Sequence, residues 1–126
     1  MTSDELEAQA KPVLLYERTK RFALAVLKFA PLLPRHYSAD VIGRQLVRCA
    51  TSVGANYRAA CRAKSSADFI AKMKIVEEEA DESLYWLELL RESGFVGVEA
   101  VEPLYNEGRQ ILAMVVASIK TKRANQ

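Results

Sequence analysis

The chain is short of the residues that most active sites are built from. Among 126 residues there are one histidine, two cysteines, five glycines and four prolines. His36 lies in a proline-bearing segment and has no companion with which to form a zinc or iron site. Two cysteines make no disulfide framework in a chain of this size, so a reduced compartment is the simpler expectation. Cys49 falls on an apolar seam, where a thiol is normally inert, and Cys61 has no recognisable base beside it in sequence. No glycine-rich phosphate loop occurs, and neither Ser52 nor Ser118 sits in a glycine elbow. No run approaches about 18 continuous apolar residues, which excludes a membrane-spanning helix. The opening MTSDELEAQAK is acidic and polar where a signal peptide would be positive and then apolar. These absences predict a soluble, cytoplasmic protein with no catalytic residues, cofactor or bound metal.

What is present favours helices. Half of the residues are apolar, and with so little glycine and proline the composition suits long uninterrupted helices better than a turn-rich sheet protein. The length suits one domain spanning residues 1–126. The net charge of +2 is too small to imply a polyanionic partner by itself, but its distribution is uneven. From Arg35 to Lys64 six basic residues stand against Asp40 alone, and from Glu77 to Glu92 seven acidic residues stand against Arg91 alone.

The stretch from Ser38 to Lys64 reads as one helix with two opposed faces. Ile42, Leu46, Cys49, Val53, Asn56 and Ala60 follow alternating spacings of four and three and form a packing seam. Before it, residues 1–11 lack an apolar period and are expected to be frayed or only partly helical. Pro12 suits a first turn, and Leu15, Thr19, Phe22, Val26 and Phe29 mark a helix over about 13–30 whose wide apolar surface predicts burial on two sides. Ser38 is the expected N-cap of the second helix, over about 39–63. Ser65 to Asp68 resembles a capping box opening a third helix over about 67–93, which places Phe69, Met73, Val76, Ala80, Leu84, Leu87 and Arg91 along one stripe and which Gly94 ends. The fourth runs over about 99–122, with Pro103 in its first turn and Val101, Leu104, Gly108, Ile111, Val115 and Ile119 inward. Short connections between four such helices predict an all-α, antiparallel up-down-up-down four-helix bundle.

Four features invite a functional reading. Arg44, Arg48, Arg58 and Arg62 cluster within roughly 80° of one another, opposite the seam, over about 27 Å of helix. Arginine's planar fork binds phosphate oxygens bidentately, so this row suits a nucleic-acid backbone, with Lys120, Lys122 and Arg123 as further cations. The competing use is ion pairing with acidic residues of the third helix, in the same subunit or a neighbour. No aromatic row lies among the arginines, so base stacking finds no support on this helix. Asn56 on the seam is expected to be structural, its partner a backbone carbonyl, a Ser or Thr, or Glu82. Glu77, Glu78, Glu79, Asp81 and Glu82 lack the Glu-x-x-His pairs of a bundle metal site and read as a solvated or ion-paired face. Ile75, Trp86 and Leu89 share a second face of the third helix, covering either a bundle edge or another subunit.

Arg48, Ser52-Val53, Ala55-Asn56, the Ser66-x-Asp68-Phe69 restart and Glu82 together resemble the four-helix-bundle family of proteins encoded by intervening sequences in bacterial 23S ribosomal RNA genes. That family is similar to the accessory variability proteins of diversity-generating retroelements. The resemblance covers the second and third helices best. It implies a homo-oligomer, usually a five-subunit ring or homopentamer, with basic surface available to RNA or DNA and no established activity. The retroelement relatives imply a reverse-transcriptase-like partner. Many members carry Glu-Gly shortly after the motif asparagine, where this chain has Ala59-Ala60.

Overall fold

The computed structural model describes residues 2–126, with side chains in the first helix described from Leu14 onward. Met1, part of the segment expected to be frayed, lies outside the described residues. Four long helices, α1 (Ser3–Phe29), α2 (Tyr37–Ala60), α3 (Ser66–Ser93) and α4 (Val98–Ala124), and a short 3-10 turn (Ala30–Leu32) account for the regular structure, and no strand occurs among the described residues. None of these helices is long and apolar enough to cross a membrane.

Each helix packs on its neighbours in the chain, and α1 closes onto α4. The direction of each pairing follows from its contacts. Lys122 meets Phe69, Tyr105 meets Glu88 and Glu102 meets Arg91, so α4 runs opposite to α3. Tyr16 lies under Arg58 and Leu33 reaches Gly43, so α2 runs opposite to α1. The densest packing joins α2 to α3 and the sparsest joins α1 to α4.

The core follows the expected stripes on three helices. Leu15, Thr19, Phe22, Val26 and Phe29 are buried from α1, Met73, Val76, Ala80, Leu84 and Leu87 from α3, and Val101, Leu104, Ile111, Val115 and Ile119 from α4. Gly108 lies inside this packing. A Cβ there would stand 3.0 Å from Leu84 Cδ2 and 3.3 Å from Phe22 Cζ, so its lack of a side chain lets three helices close together.

Four expectations are corrected. α1 opens at Ser3, ten residues before the expected start, because Glu5, Leu6, Glu7, Ala8, Gln9 and Ala10 are strong helix formers that need no apolar period, and Pro12 falls inside it. Burial of α1 on two sides is not found: Leu14, Leu24 and Leu27 are each nearly half exposed, because only α2 and α4 flank this helix. The α2 seam keeps Leu46, Cys49, Val53 and Ala60 but shifts by one residue at Ile42 and Asn56. Gly43, Ala50 and Tyr57 turn inward and leave Ile42 and Asn56 half-buried, since glycine and alanine at 43 and 50 allow close approach and Tyr57 supplies the bulk. Pro103 stands in the second turn of α4, because that helix begins at Val98.

The ends are capped as their chemistry dictates. His36 is the N-cap of α2, two residues earlier than the expected Ser38; its Nδ1 accepts from the Ser38 N–H at 3.1 Å, so Ser38 lies within the helix. The Ser65 hydroxyl accepts from the Asp68 N–H at 3.0 Å, and Asp68 returns a carboxylate oxygen to the Lys64 N–H at 3.1 Å. Gly94 ends α3 with φ of 79°, the left-handed conformation that glycine adopts without strain. At the α2–α3 corner, hydrogen bonds from Lys72 and the Lys64 N–H hold the Asp68 carboxyl below the usual carboxylate range. A depressed folded-state pKa stabilises above the unfolded value, about 3.9, and that contribution is lost as the pH falls through the folded value. Urea titrations should therefore show Asp68→Asn less stable than the parent at neutral pH, with the gap closing below about pH 4. Ser65→Ala should cost about 1 kcal/mol.

Candidate nucleic-acid interface

The outer face of α2 is set by its inner one. Leu46, Ala50, Val53, Tyr57 and Ala60 are buried against α1 and α3, which leaves positions 44, 48, 55 and 58 facing solvent. α2 ends at Ala60 rather than near residue 63, so Arg62 lies just past the helix. The chain still winds there: the Arg62 N–H donates to Ala59 O at 3.1 Å and the Ala63 N–H to Ala60 O at 3.0 Å. This tighter final turn keeps Arg62 in line with the row.

The four arginines differ in what holds them. Arg44 pairs with Asp40 one turn back at 3.0 Å, with side chains 79% and 61% exposed, a geometry in which water competes strongly. Arg48 leans toward α3, where it donates to Glu79 at 3.4 Å and makes a shorter contact with Glu82, while its Nε donates to Gln45. The Glu82 hydrogen bond raises the Arg48 pKa further, so this side chain stays charged. Arg58 leans the other way, its guanidinium 5.1 Å from the centre of the Tyr16 ring on α1. Arg62 is exposed and has no ion-pair partner among the described residues. The row thus has Arg44 and Arg62 on its centre line and one arginine anchored on each flank.

The fold brings the second basic group to the same end. Lys122 lies 5.4 Å from the Phe69 ring at the start of α3, and Lys120 and Arg123 are exposed beside it on α4. Arg58, Arg62 and Lys64 reach that end through the α2–α3 connection. The acidic stretch of α3 and the opening turns of α4, with Glu99 and Glu102, lie toward the middle and the far end.

The remaining candidates fall as follows. Asn56 donates to Ser52 O at 2.8 Å, a bond within its own helix, and Glu82 meets Arg48 rather than Asn56. Trp86 packs partly buried against the core, and its Nε1 is buried with no acceptor among the described residues. Ile75 is 42% exposed and Leu89 half-buried. Tyr85 stands beside Trp86 with ring centres 5.1 Å apart and is more exposed than either. No group of three His, Cys, Asp or Glu side chains suited to a metal ion occurs among the described residues. The Cys49 thiol is buried, accepts from the Ser83 hydroxyl at 3.2 Å, and is pushed up by burial, which disfavours its thiolate.

Sequence reasoning missed two aromatic side chains of this face. Tyr16, on α1, underlies Arg58. A second helix that begins after Ser38 puts Tyr37 in the connecting segment. It is instead the first residue of α2, seven positions before Arg44 and thus within about 20° of it around the helix. No aromatic row lies among the four arginines, as expected, since Tyr57 is buried; Tyr37 stands alone before the first of them. The Ser38-first reading overlooked that a histidine ring nitrogen can cap as a serine does.

A sequence model of the family described as 23S rRNA-intervening sequence protein matches residues 11–117, which include α2 and α3 whole. Among solved structures the chain is similar to a protein of the S23 ribosomal protein family from Bacteroides thetaiotaomicron, itself described as of unknown function. The two are 34% identical with a TM-score of 0.81, over 87% of this chain and 98% of that one. No curated protein matches the chain. The four-helix architecture, the motif residues of α2 and α3 and this match agree: the chain belongs to the family of 23S rRNA-intervening sequence proteins.

Proposed function

We propose that the protein is a non-catalytic, homo-oligomeric scaffold that binds RNA or DNA through the outer face of α2. The observation that carries this reading is the line of outward guanidinium groups from Arg44 to Arg62, continued at one end of the bundle by Lys120, Lys122 and Arg123. A bundle held by its core presents these groups at fixed spacing, so phosphates are met without ordering a loop. Contacts of this kind go to the backbone and carry little sequence preference. A ring of such subunits, five by family resemblance, would repeat the basic face around its rim and bind through many weak sites at once. A polymerase-like protein working on the same strand is the partner this arrangement suits.

A second reading has a specific observation in its favour. Arg48 is held by Glu79 and Glu82 of the same chain and Arg44 by Asp40, as in a scaffold that binds only protein and uses its arginines for internal ion pairs. Salt dependence separates the two. With about six phosphate contacts, log K for a single strand should fall against log salt with a slope of about −4. Replacing Arg44, Arg58 and Arg62 together with Gln should lower the magnitude of that slope by about 2 while leaving helicity unchanged. Arg48 is kept, since its removal would strand two carboxylates. Unchanged affinity and slope would reject this surface and favour the protein-only scaffold.

Assembly is tested separately. Ile75 and Tyr85 are the exposed large apolar side chains described on α3, and Trp86 and Leu89 are half-buried, so Ile75→Glu with Tyr85→Glu should reduce the native mass without unfolding the subunit. A parent protein of 14.1 kDa mass in dilute solution would refute the oligomer.

A further inference from the structure

A trough of about 670 Å³ opens at the head of the arginine row. One wall is the 3-10 turn and the segment after it, with Pro31, Leu33 and Pro34; the other is the first two turns of α2, with Tyr37, Asp40 and Arg44. The prolines fix φ along the first wall. Leu33 is seated on α2 so closely that a Cβ on Gly43 would lie 2.9 Å from its Cδ1. Below Tyr37, the His36 ring rests against Phe95 with centroids 4.7 Å apart, and its Nδ1 is engaged by the Ser38 N–H. The backbone that carries Tyr37 is therefore fixed from both sides.

The side chain itself is not covered. Tyr37 is 84% exposed, more than any other large apolar or aromatic side chain described, and Leu32 across the turn is 77% exposed. An aromatic ring left in water on a rigid backbone loses little conformational freedom when a flat partner covers it, because only two side-chain torsions are involved. Its charged surroundings narrow the partner. Arg35 and Arg44 flank the trough, and Asp40 is the acidic residue lining it, already paired to Arg44 across a solvent-exposed contact that a phosphate would displace. From Tyr37 to Arg44 is about 10 Å along the helix, and the row continues for about 27 Å to Arg62.

We propose that Tyr37 is a base-stacking platform and that the ligand of the basic face is a single-stranded nucleic acid. An unpaired base covers the Tyr37 ring, and its phosphates pass to Arg35 and Arg44 and on along α2. This inference rests on the nucleic-acid reading above and narrows it. A duplex keeps its bases stacked on one another and meets only the arginines. Stacking on an aromatic side chain is tolerant of sequence because every base has a π-face.

The test uses the full chain with an unstructured oligouridylate, the deoxythymidylate of the same length and its duplex with deoxyadenylate, followed by fluorescence anisotropy. Tyr37→Ala should weaken single-strand binding about 5- to 150-fold, the range for loss of one stacked base. Tyr37→Phe should bind as the parent does, and duplex affinity should be the same for all three proteins. The single-strand salt slope should not change, since no phosphate contact is removed. A loss confined to the oligouridylate supports the platform and adds selection for the 2′-hydroxyl. Equal single-strand affinity of Tyr37→Ala and parent, an equal loss on duplex, or a fall in the native mass of Tyr37→Ala would overturn the platform while leaving the wider reading standing. Failure of the parent to bind any of the probes would overturn both.

Discussion

The packing of α2 against α3 is the constraint on which the rest depends. Leu46, Ala50, Val53 and Tyr57 of α2 share one buried core with Met73, Val76, Ala80 and Leu87 of α3, the most densely packed pair of helices. Once these are buried, helical geometry leaves no choice about where the arginines go. They face water because charged side chains on that side have no interior to enter. Among the described residues of the row, Arg48, at the edge nearest α3, is the member that reaches carboxylates of another helix, while Arg44 pairs with Asp40 of its own.

The same antiparallel order sorts charge along the bundle. The end of α2, the start of α3 and the end of α4 come together, gathering Arg58, Arg62, Lys64, Lys120, Lys122 and Arg123. The acids of α3 are partly neutralised in place, Glu79 and Glu82 by Arg48 and Glu77 by Lys74, while Glu88 accepts a hydrogen bond from the Tyr105 hydroxyl. A nearly neutral chain thus carries one strongly basic region, and a polyanion responds to that local field rather than to the net charge. Helix ends matter here for position more than for polarity, since they decide which cations share a neighbourhood.

Much of the fold was legible because periodicity reports directly on burial. The stripes of α3 and α4, the Ser65 cap and the Gly94 stop follow from side-chain spacing and local hydrogen bonding; the centres of both stripes are buried, and Phe69, Arg91, Tyr105 and Leu112 at their margins are half-buried. What was not legible depended on neighbours. Whether Asn56 or Tyr57 turns inward is decided by which helices flank α2, and a single-helix wheel places both near the boundary. The start of α2 turned on a histidine acting as cap, a role that requires the ring to be braced by Phe95, about sixty residues away in sequence. That one displacement hid Tyr37. The arginine row was visible from spacing alone, but the division into anchored and unanchored members needed Glu79, Glu82 and Tyr16 in three dimensions.

The most direct examination of the central claim is photochemical crosslinking of the assembled protein to a single-stranded RNA, with the attached peptides identified by mass spectrometry. The account predicts adducts on the peptides carrying residues 35–48 and 58–64 and on the basic end of α4, and none on the acidic outer face of α3. Adducts confined to α3 and the opening of α4, or none from a protein that forms its full assembly, would contradict it.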